Sequence, residues 1–276
     1  MSRVGLIAGV GVLPVEFMRA AQSLGHEVVV VAVVAGVNPA LAVEANQYYE
    51  INAAKLNKIL KTLHKENVVD ITMLGKVTKE LLFKGLSMPD LRTLQLLHRL
   101  RNRKDDTIML AIVDELEAEG FHVVDQTVYL QPLIPKVGVL TKKGPTKEEM
   151  EDIRFGFTLA KQMGGLDIGQ TVVVKHKAAM AIEAIEGTDA CIVRGGSLGR
   201  GDAVVVKTAK PNQDVRFDVP AVGRRTLESM IESNCRVLAI EAGRTIFVEQ
   251  EEVLALANKK GITICAVSEE SLRKDA

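Results

Sequence analysis

Leu6-Ile-Ala-Gly-Val-Gly-Val-Leu-Pro14 decides how the first half of this chain is read. Residues 4–8 form a short apolar strand, Gly9-Val10-Gly11 a turn, and Pro14 suits a first helical turn, where no N–H is needed. A strand running through glycines into a helix opens a dinucleotide-binding unit, whose third glycine occupies the sixth position of the pattern. Here that position is Pro14, and the next apolar run ends Ala32-Val-Val-Ala-Gly36 without a carboxylate to hold a ribose. Both departures argue against a nicotinamide or flavin cofactor. What survives is a loop in which Gly9 and Gly11 let backbone N–H groups approach an anion at a helix N-terminus. A tight turn with no ligand is the other reading.

Working outward, residues 14–24 read as a helix with Val15, Met18 and Leu24 inward, and 28–34 as a strand buried on both faces. Leu56, Ile59, Leu60 and Leu63 share one face of a helix over 56–65. Residues 69–74 are the third strand, 91–101 and 106–119 are helices, and 122–124 is a further strand. This alternation predicts an α/β chain whose residues 1–130 form a Rossmann-like parallel-sheet domain, with ligands at the carboxyl ends of the strands. Gln131-Pro-Leu-Ile-Pro135 and Lys142-Lys-Gly-Pro145 mark residues 131–146 as a linker. Residues 147–276 are expected to be a distinct, mixed α/β, catalytic domain. Its helix over 147–163 ends at Gly164-Gly165, and 171–175 with 179–183 form a hairpin around His176-Lys177. A strand over 203–207 and a helix over 225–233 follow. A second hairpin, 237–241 with 245–249, turns at Ala242-Gly243, and 251–259 and 262–267 close the chain.

Composition narrows the function. The 276 residues are 47% hydrophobic, enough to bury a substantial core. Basic and acidic residues balance at 35 each, so nucleic acid is not the expected partner. The longest apolar run, 28–37, is too short to cross a bilayer, and Ser2-Arg3 leads straight into a strand without signal-peptide regions. Cys191, Cys235 and Cys265 lie far apart in or beside apolar stretches, which predicts buried free thiols in a reducing compartment. The expected location is the cytoplasm, peripheral on the inner face of the cytoplasmic membrane. No two of His26, His64, His98, His122 and His176 share metal-ligand spacing, and no Gly-x-Ser-x-Gly occurs, which argues against zinc and serine chemistry.

Several phrases, taken in order, resemble the LpxI-type UDP-2,3-diacylglucosamine pyrophosphatases of lipid A synthesis. They are Leu6 to Pro14 as quoted, Lys104-Asp-Asp106 before a helix ending Glu117-Ala-Glu-Gly-Phe121, Leu166-Asp-Ile-Gly-Gln170 and Glu186-Gly-Thr-Asp189. Lys207-Thr-Ala-Lys-Pro211, Arg216-Phe-Asp-Val-Pro-Ala-Val-Gly223 and Glu241-Ala-Gly243 complete the series. The resemblance spans nearly the whole chain. It implies a Rossmann-like domain joined by a linker to a second domain, a homodimer, and a Mg²⁺ or Mn²⁺ requirement. The implied reaction is water attack at the α-phosphorus of UDP-2,3-diacylglucosamine, giving UMP and 2,3-diacylglucosamine 1-phosphate. The family often carries a third glycine where this chain has Val10, and a small polar residue where it has Lys76.

Phosphoanhydride hydrolysis needs a cation on the non-bridging oxygens and a group that manages the water. The resemblance gives Asp218 this catalytic part, as metal ligand or water activator, in a segment expected to be extended because Pro220 restricts Val219. Asp189 is the second candidate metal ligand. Substrate contacts are expected from Gly9, Gly11, Val12, Leu13, Lys76, Asp105, Thr188, Asp189 and Lys210. Thr188 or Asp189 capping a short helix over 190–194, and Asp106 capping the helix after it, are the structural alternatives. Arg194, Gly195, Gly196, Gly199, Arg200 and Gly201 read as a basic loop able to close on the diphosphate, or as a plain connection. For the acyl chains, Leu81-Leu82-Phe83 and Leu86-Ser-Met88 precede a stripe of Leu91, Leu94, Leu97 and Leu100. Arg92, Arg99, Arg101, Arg103 and Lys104 lie alongside, so residues 81–104 are expected to lead lipid in from the membrane surface. Packing of the stripe into the core is the opposing expectation. A non-catalytic nucleotide-sugar-binding module is the rival to the enzyme.

Overall fold

The opening strand, β1 (Arg3–Ala8), lies at the centre of a five-stranded parallel sheet in the order β3-β2-β1-β4-β5. Its partners are β2 (Glu27–Ala32) and β4 (Asp70–Leu74), flanked by β3 (Gln47–Glu50) and β5 (His122–Val123). The computed structural model describes residues 2–77, 88–100 and 105–274, the side chains of Asp105 and Asp106 excepted. Val28 to Val31 are buried because helices cover both faces of a parallel sheet. The helices of this unit are α1 (Leu13–Ser23), α2 (Ala40–Glu44), α3 (Leu56–Lys65), α4 (Leu91–Arg99) and α5 (Asp105–Ala118). Leu56, Ile59, Leu60 and Leu63 pack into the core as their spacing predicts. Strand order reverses between β1 and β4, the switch point where doubly wound sheets bind ligands.

Three expectations fail here. Asp70–Leu74 is the fourth strand, because Gln47–Glu50 forms a polar, short edge strand with no apolar run to announce it. Leu24 is exposed, because α1 ends at Ser23 and leaves Leu24 as its C-cap. Leu91, Leu94 and Leu97 are also exposed, and α4 buries Leu96 instead. Asp90 fixes that orientation, accepting the Thr93 amide and hydroxyl at 2.9 Å each and the Asn57 amide at 2.8 Å.

Residues Met1–Leu130 and Val215–Phe217 make up this first unit, and Gln131–Asp214 with Asp218–Ala276 make up the second. The second unit holds a six-stranded mixed sheet. Its strands are β6 (Gly138–Val139), β7 (Thr171–Lys175), β8 (Ala178–Ile182), β9 (Val204–Lys207), β11 (Val237–Glu241) and β13 (Thr263–Val267), ordered β6-β13-β11-β9-β7-β8. Strands β9, β11 and β13 run parallel, and the others pair antiparallel. Helix α6 (Lys147–Gly165) opens with a Thr146/Glu149 capping box and packs Ile153 and Phe157 on one face of the sheet. On the other face lie α7 (Thr188–Gly199), α8 (Arg224–Glu232) and α9 (Gln250–Lys260), and α10 (Glu269–Lys274) follows β13. The β7–β8 hairpin turns at His176 and Lys177, both at positive φ. Their amides are held by the Asp152 carboxylate at 2.9 and 2.6 Å. This is the mirror-image turn that matches strand twist.

Residues 131–146, expected as a linker, contribute a 3₁₀ turn (Gln131–Leu133) and the edge strand β6. Residues 237–249 form no hairpin. The uninterrupted apolar run of β11 belongs at the centre of a parallel sheet, while β12 (Ile246–Phe247) pairs parallel with β10 (Ala221–Val222). Gly164 and Gly165 lie inside α6 rather than after it. The expected loop at 194–201 is also mostly helix: a Cβ on Gly195 would stand 2.5 Å from Val173 Cβ, so glycine here permits close helix–sheet packing.

Candidate functional site

In the first unit, the loop after β1 crosses the loop after β4. Gly9 N–H donates to Leu74 O at 2.8 Å, Val10 N–H to Lys76 O at 3.0 Å, and Lys76 N–H to Val10 O at 2.8 Å. A Cβ on Gly9 would lie 2.6 Å from Lys76 O, and one on Gly75 would lie 2.7 Å from Gly9 C. Gly9 therefore serves the crossing, and its amide is already bonded. Among the described residues, the amides of Gly11, Val12 and Leu13 donate to no backbone carbonyl, and they lead into α1. Gly11 has φ +125° and open space around it, a conformation that favours glycine. Lys76 is exposed beside this loop. The Asp105 side chain lies outside the described residues.

A cavity of about 440 Å³ opens at the carboxyl ends of β2 and β3, lined by Val33, Val34, Tyr48, Glu50 and Asn52 among others. The carboxylate missing from the end of β2 is thus found at the end of β3. Tyr48 Oη donates to Glu50 at 3.1 Å, and burial together with that carboxylate pushes the phenol up to about 12. Sequence reading passed over these residues because the strand carrying them has no apolar signature.

The second unit concentrates buried charge where β9 and β11 end. Glu241, the last residue of β11, is 7% exposed and receives Lys161 Nζ at 3.0 Å on both oxygens. The same carboxylate accepts Ala209 N–H at 2.8 Å, and Lys161 Nζ donates to Ala209 O at 2.9 Å. Next in the chain, Lys210 places its ammonium 2.9 Å from Asp167 Oδ1 and 3.6 Å from Asp218 Oδ2. Asp218 N–H donates to Asp214 O at 2.9 Å, so residues 214–218 form a turn rather than the extended segment expected. The proline at 220 restricts only Val219, one residue too late to straighten it.

Thr188 sits in a neighbouring network. Its hydroxyl donates to Glu183 at 2.9 Å and accepts from Lys207 at 3.1 Å and from Thr171 at 3.4 Å. These three bonds use a hydroxyl's whole capacity, so a substrate contact by Thr188 has to displace one of them. Lys207, the buried last residue of β9, also donates to Ala221 O at 3.0 Å. Asp189 stands in the first turn of α7 and pairs with Arg225 Nε at 2.7 Å. Neither residue caps the helix, whose N-cap is Gly187. Six buried side-chain atoms find no partner among the described residues: Thr72 Oγ1 in β4, Gln250 Nε2 at the start of α9, and Gln170 Oε1, Thr208 Oγ1, Gln213 Nε2 and Thr245 Oγ1. Three of the six belong to segments bonded at this edge: the Gln170 carbonyl, just before β7, accepts Thr208 N–H at 3.0 Å, and Gln213 Oε1 accepts Lys210 N–H at 2.8 Å. Unpaired polar atoms are costly to bury, and the three here suit a site that takes a polar ligand.

Among the described residues, no three His, Cys, Asp or Glu side chains converge as a metal cage. The three cysteines are buried and free, and burial raises all three thiols, Cys191 and Cys265 to about 12. No helix among the described residues is long and apolar enough to cross a membrane.

Residues 3–133 match the family described as the LpxI N-terminal domain, and residues 136–265 the LpxI C-terminal domain. Over 278 aligned positions the chain is 32% identical to UDP-2,3-diacylglucosamine pyrophosphatase LpxI of Caulobacter vibrioides, covering 97% of this chain and 98% of that one. A 139-residue stretch is 27% identical to the bifunctional purine biosynthesis protein PurH of Parvibaculum lavamentivorans, covering 46% of this chain and 23% of that one. Among solved structures, UDP-N-acetylglucosamine 4-epimerase from Bacillus cereus is 8% identical with a TM-score of 0.34, over 98% of this chain and 90% of that one. That likeness is too slight to bear on the reading.

Proposed function

The chain belongs to the LpxI family, and on that footing we propose that it hydrolyses the diphosphate of UDP-2,3-diacylglucosamine in lipid A synthesis. The observation that carries the chemistry is the Lys210–Asp218 pair, 3.6 Å apart beside the charged edge of the second unit. Asp218 is the base of the reading. Its carboxylate orients a water and takes its proton as the new O–P bond forms and the bridging P–O bond breaks. Lys210 offsets charge on the non-bridging oxygens, a role that fixed cations fill in phosphoryl transfer. A single carboxylate suits Mg²⁺ or Mn²⁺, which bind through one or two carboxylates plus substrate phosphates and water. Asp218 would hold the ion, and the ion would supply further charge neutralisation at the diphosphate.

The products in this reading are UMP and 2,3-diacylglucosamine 1-phosphate. Incubating the protein with substrate and Mg²⁺ or Mn²⁺ tests it: UMP release that is lost in Asp218→Ala supports the enzyme. Tight binding without turnover leaves a nucleotide-sugar-binding module. Reaction in ¹⁸O-labelled water locates the attack. The sequence-based expectation, attack at the α-phosphorus, puts the label in UMP. Label in the sugar phosphate moves the attack to the β-phosphorus.

The exposed Leu91, Leu94 and Leu97, with Arg99 on the same helix, support a peripheral contact of α4 with the inner face of an anionic membrane. The remainder of the proposed lipid path, residues 81–87 and 101–104, lies outside the described residues. A homodimer completes the proposal, and sedimentation at micromolar concentration tests it.

A further inference from the structure

We propose that Lys161, Glu241 and Arg244 are positioning residues that hold the Lys210 ammonium in register with Asp218; this rests on the reading of Asp218 given above. Two quoted phrases thirty residues apart, Lys207-Thr-Ala-Lys-Pro211 and Glu241-Ala-Gly243, turn out to be one device. The Lys161–Glu241 pair occupies both backbone groups of Ala209, accepting its N–H at 2.8 Å and donating to its carbonyl at 2.9 Å. The backbone of Lys210 is held at both ends too. Its N–H donates to Gln213 Oε1 at 2.8 Å, and its carbonyl accepts Arg244 Nη2 at 3.3 Å. Arg244 also faces Glu241, with Nη1 at 3.9 Å from Oε1. Glu241 thus ties one cation from α6 and one from the loop after β11 to a single two-residue stretch of backbone.

A lysine side chain has four rotatable bonds, so an ammonium aimed between Asp167 and Asp218 needs its backbone fixed before its rotamers matter. Thr208, just before the held stretch, anchors the other side through its amide bond to Gln170 O at 3.0 Å. The arrangement differs from ordinary lysine–backbone bonding in this unit. Lys175 donates to Gly199 O at 2.9 Å and Gly201 O at 2.8 Å, but at the opposite edge of the sheet, since β7 runs antiparallel to β9.

Steady-state kinetics on the full chain test this with Glu241→Gln, Arg244→Gln and Lys210→Met, the two double variants with Lys210→Met, and Lys175→Met as control. Glu241→Gln and Arg244→Gln are expected to lower kcat about tenfold or more, with KM within about threefold, the pattern of a misplaced catalytic group. In the Lys210→Met background the same substitutions should add little, because they act through Lys210. Lys175→Met should melt earlier and keep its kcat. Losses that multiply fully with Lys210→Met, or an equal kcat loss in Lys175→Met, overturn the proposal. Should Glu241→Gln fail to fold, Arg244→Gln decides alone, since that side chain is partly exposed, and an unchanged kcat there also overturns it. A wild-type protein that releases no UMP overturns the functional reading and this inference with it, whereas an active wild type with multiplying losses overturns the inference alone.

Discussion

The carboxyl edge of the N-terminal sheet is shaped by backbone, and the corresponding edge of the C-terminal sheet by buried side chains. In the first, Gly9 and Gly75 cross so closely that no Cβ fits, and the amides of Gly11, Val12 and Leu13 remain at the mouth of a helix. In the second, Lys161, Glu241, Lys207 and Glu183 are fixed by bonds of about 3 Å to backbone and hydroxyl groups. Under the function proposed above, the contrast assigns a different task to each edge. Amides can hold phosphate without titrating, while moving a proton needs an ionisable group set among counter-charges.

Substitutions that touch only one edge can break this contrast. The largest effect belongs to Asp218→Asn, which should lower kcat on the order of 10³-fold while leaving the melting temperature nearly unchanged. A retained kcat would move the chemistry elsewhere. Gly9→Ala should do the reverse, losing roughly 1–3 kcal/mol of stability because its methyl meets Lys76 O. Gly11→Ala has room but the wrong φ, and should cost about 1 kcal/mol in stability while weakening UMP binding. Urea titration and calorimetry separate the two glycines, and equal stability losses would refute the crossing as the reason for Gly9. Replacing Leu91, Leu94 and Leu97 together with serine should weaken binding to anionic vesicles roughly tenfold, with turnover of detergent-dispersed substrate retained.

The effect that is smallest at neutral pH concerns the thiols. Unfolded, a cysteine ionises near 9.0, whereas folded Cys191 and Cys265 hold their protons to about 12. Between those values the unfolded chain binds fewer protons than the folded one, so stability falls as pH rises through this window. Below 9.0 the contribution is fully present. Denaturant midpoints from pH 8 to 10.5 check the sign, and iodoacetamide should label native protein far more slowly than unfolded.

Periodicity made much of the fold legible. The buried valines of β2 and the leucine face of α3 announce themselves because core burial imposes the pattern directly. The edge strand Gln47–Glu50 escapes because a half-exposed edge imposes none. Gly195 and Gly196 misled for a related reason: glycine signals flexibility and tight packing with the same letter, and only the neighbour, Val173 or Ser233, tells them apart. At the candidate site, Asp218 and Lys210 could be named from motif resemblance, and the structure brings them together. Lys161 could not, because a lysine on an amphipathic helix looks the same whether it meets water or a buried glutamate. Glu241 stood within a quoted phrase, yet its partner lies 80 positions away in the chain, a separation that local pattern cannot bridge.

The short segment Val215–Phe217 carries one more consequence. Phe217 packs into the core of the first unit, Val215 O accepts Gln126 N–H at 3.0 Å, and Arg216 pairs with Glu117 at 3.0 Å. A gene truncated after Leu130 therefore encodes a half that lacks a piece of its own interior, and the complementary fragment carries that piece away. Expressing the halves separately should yield poorly behaved material unless those three residues are grafted back, so any dissection of labour between them is better done by point substitution than by scissors.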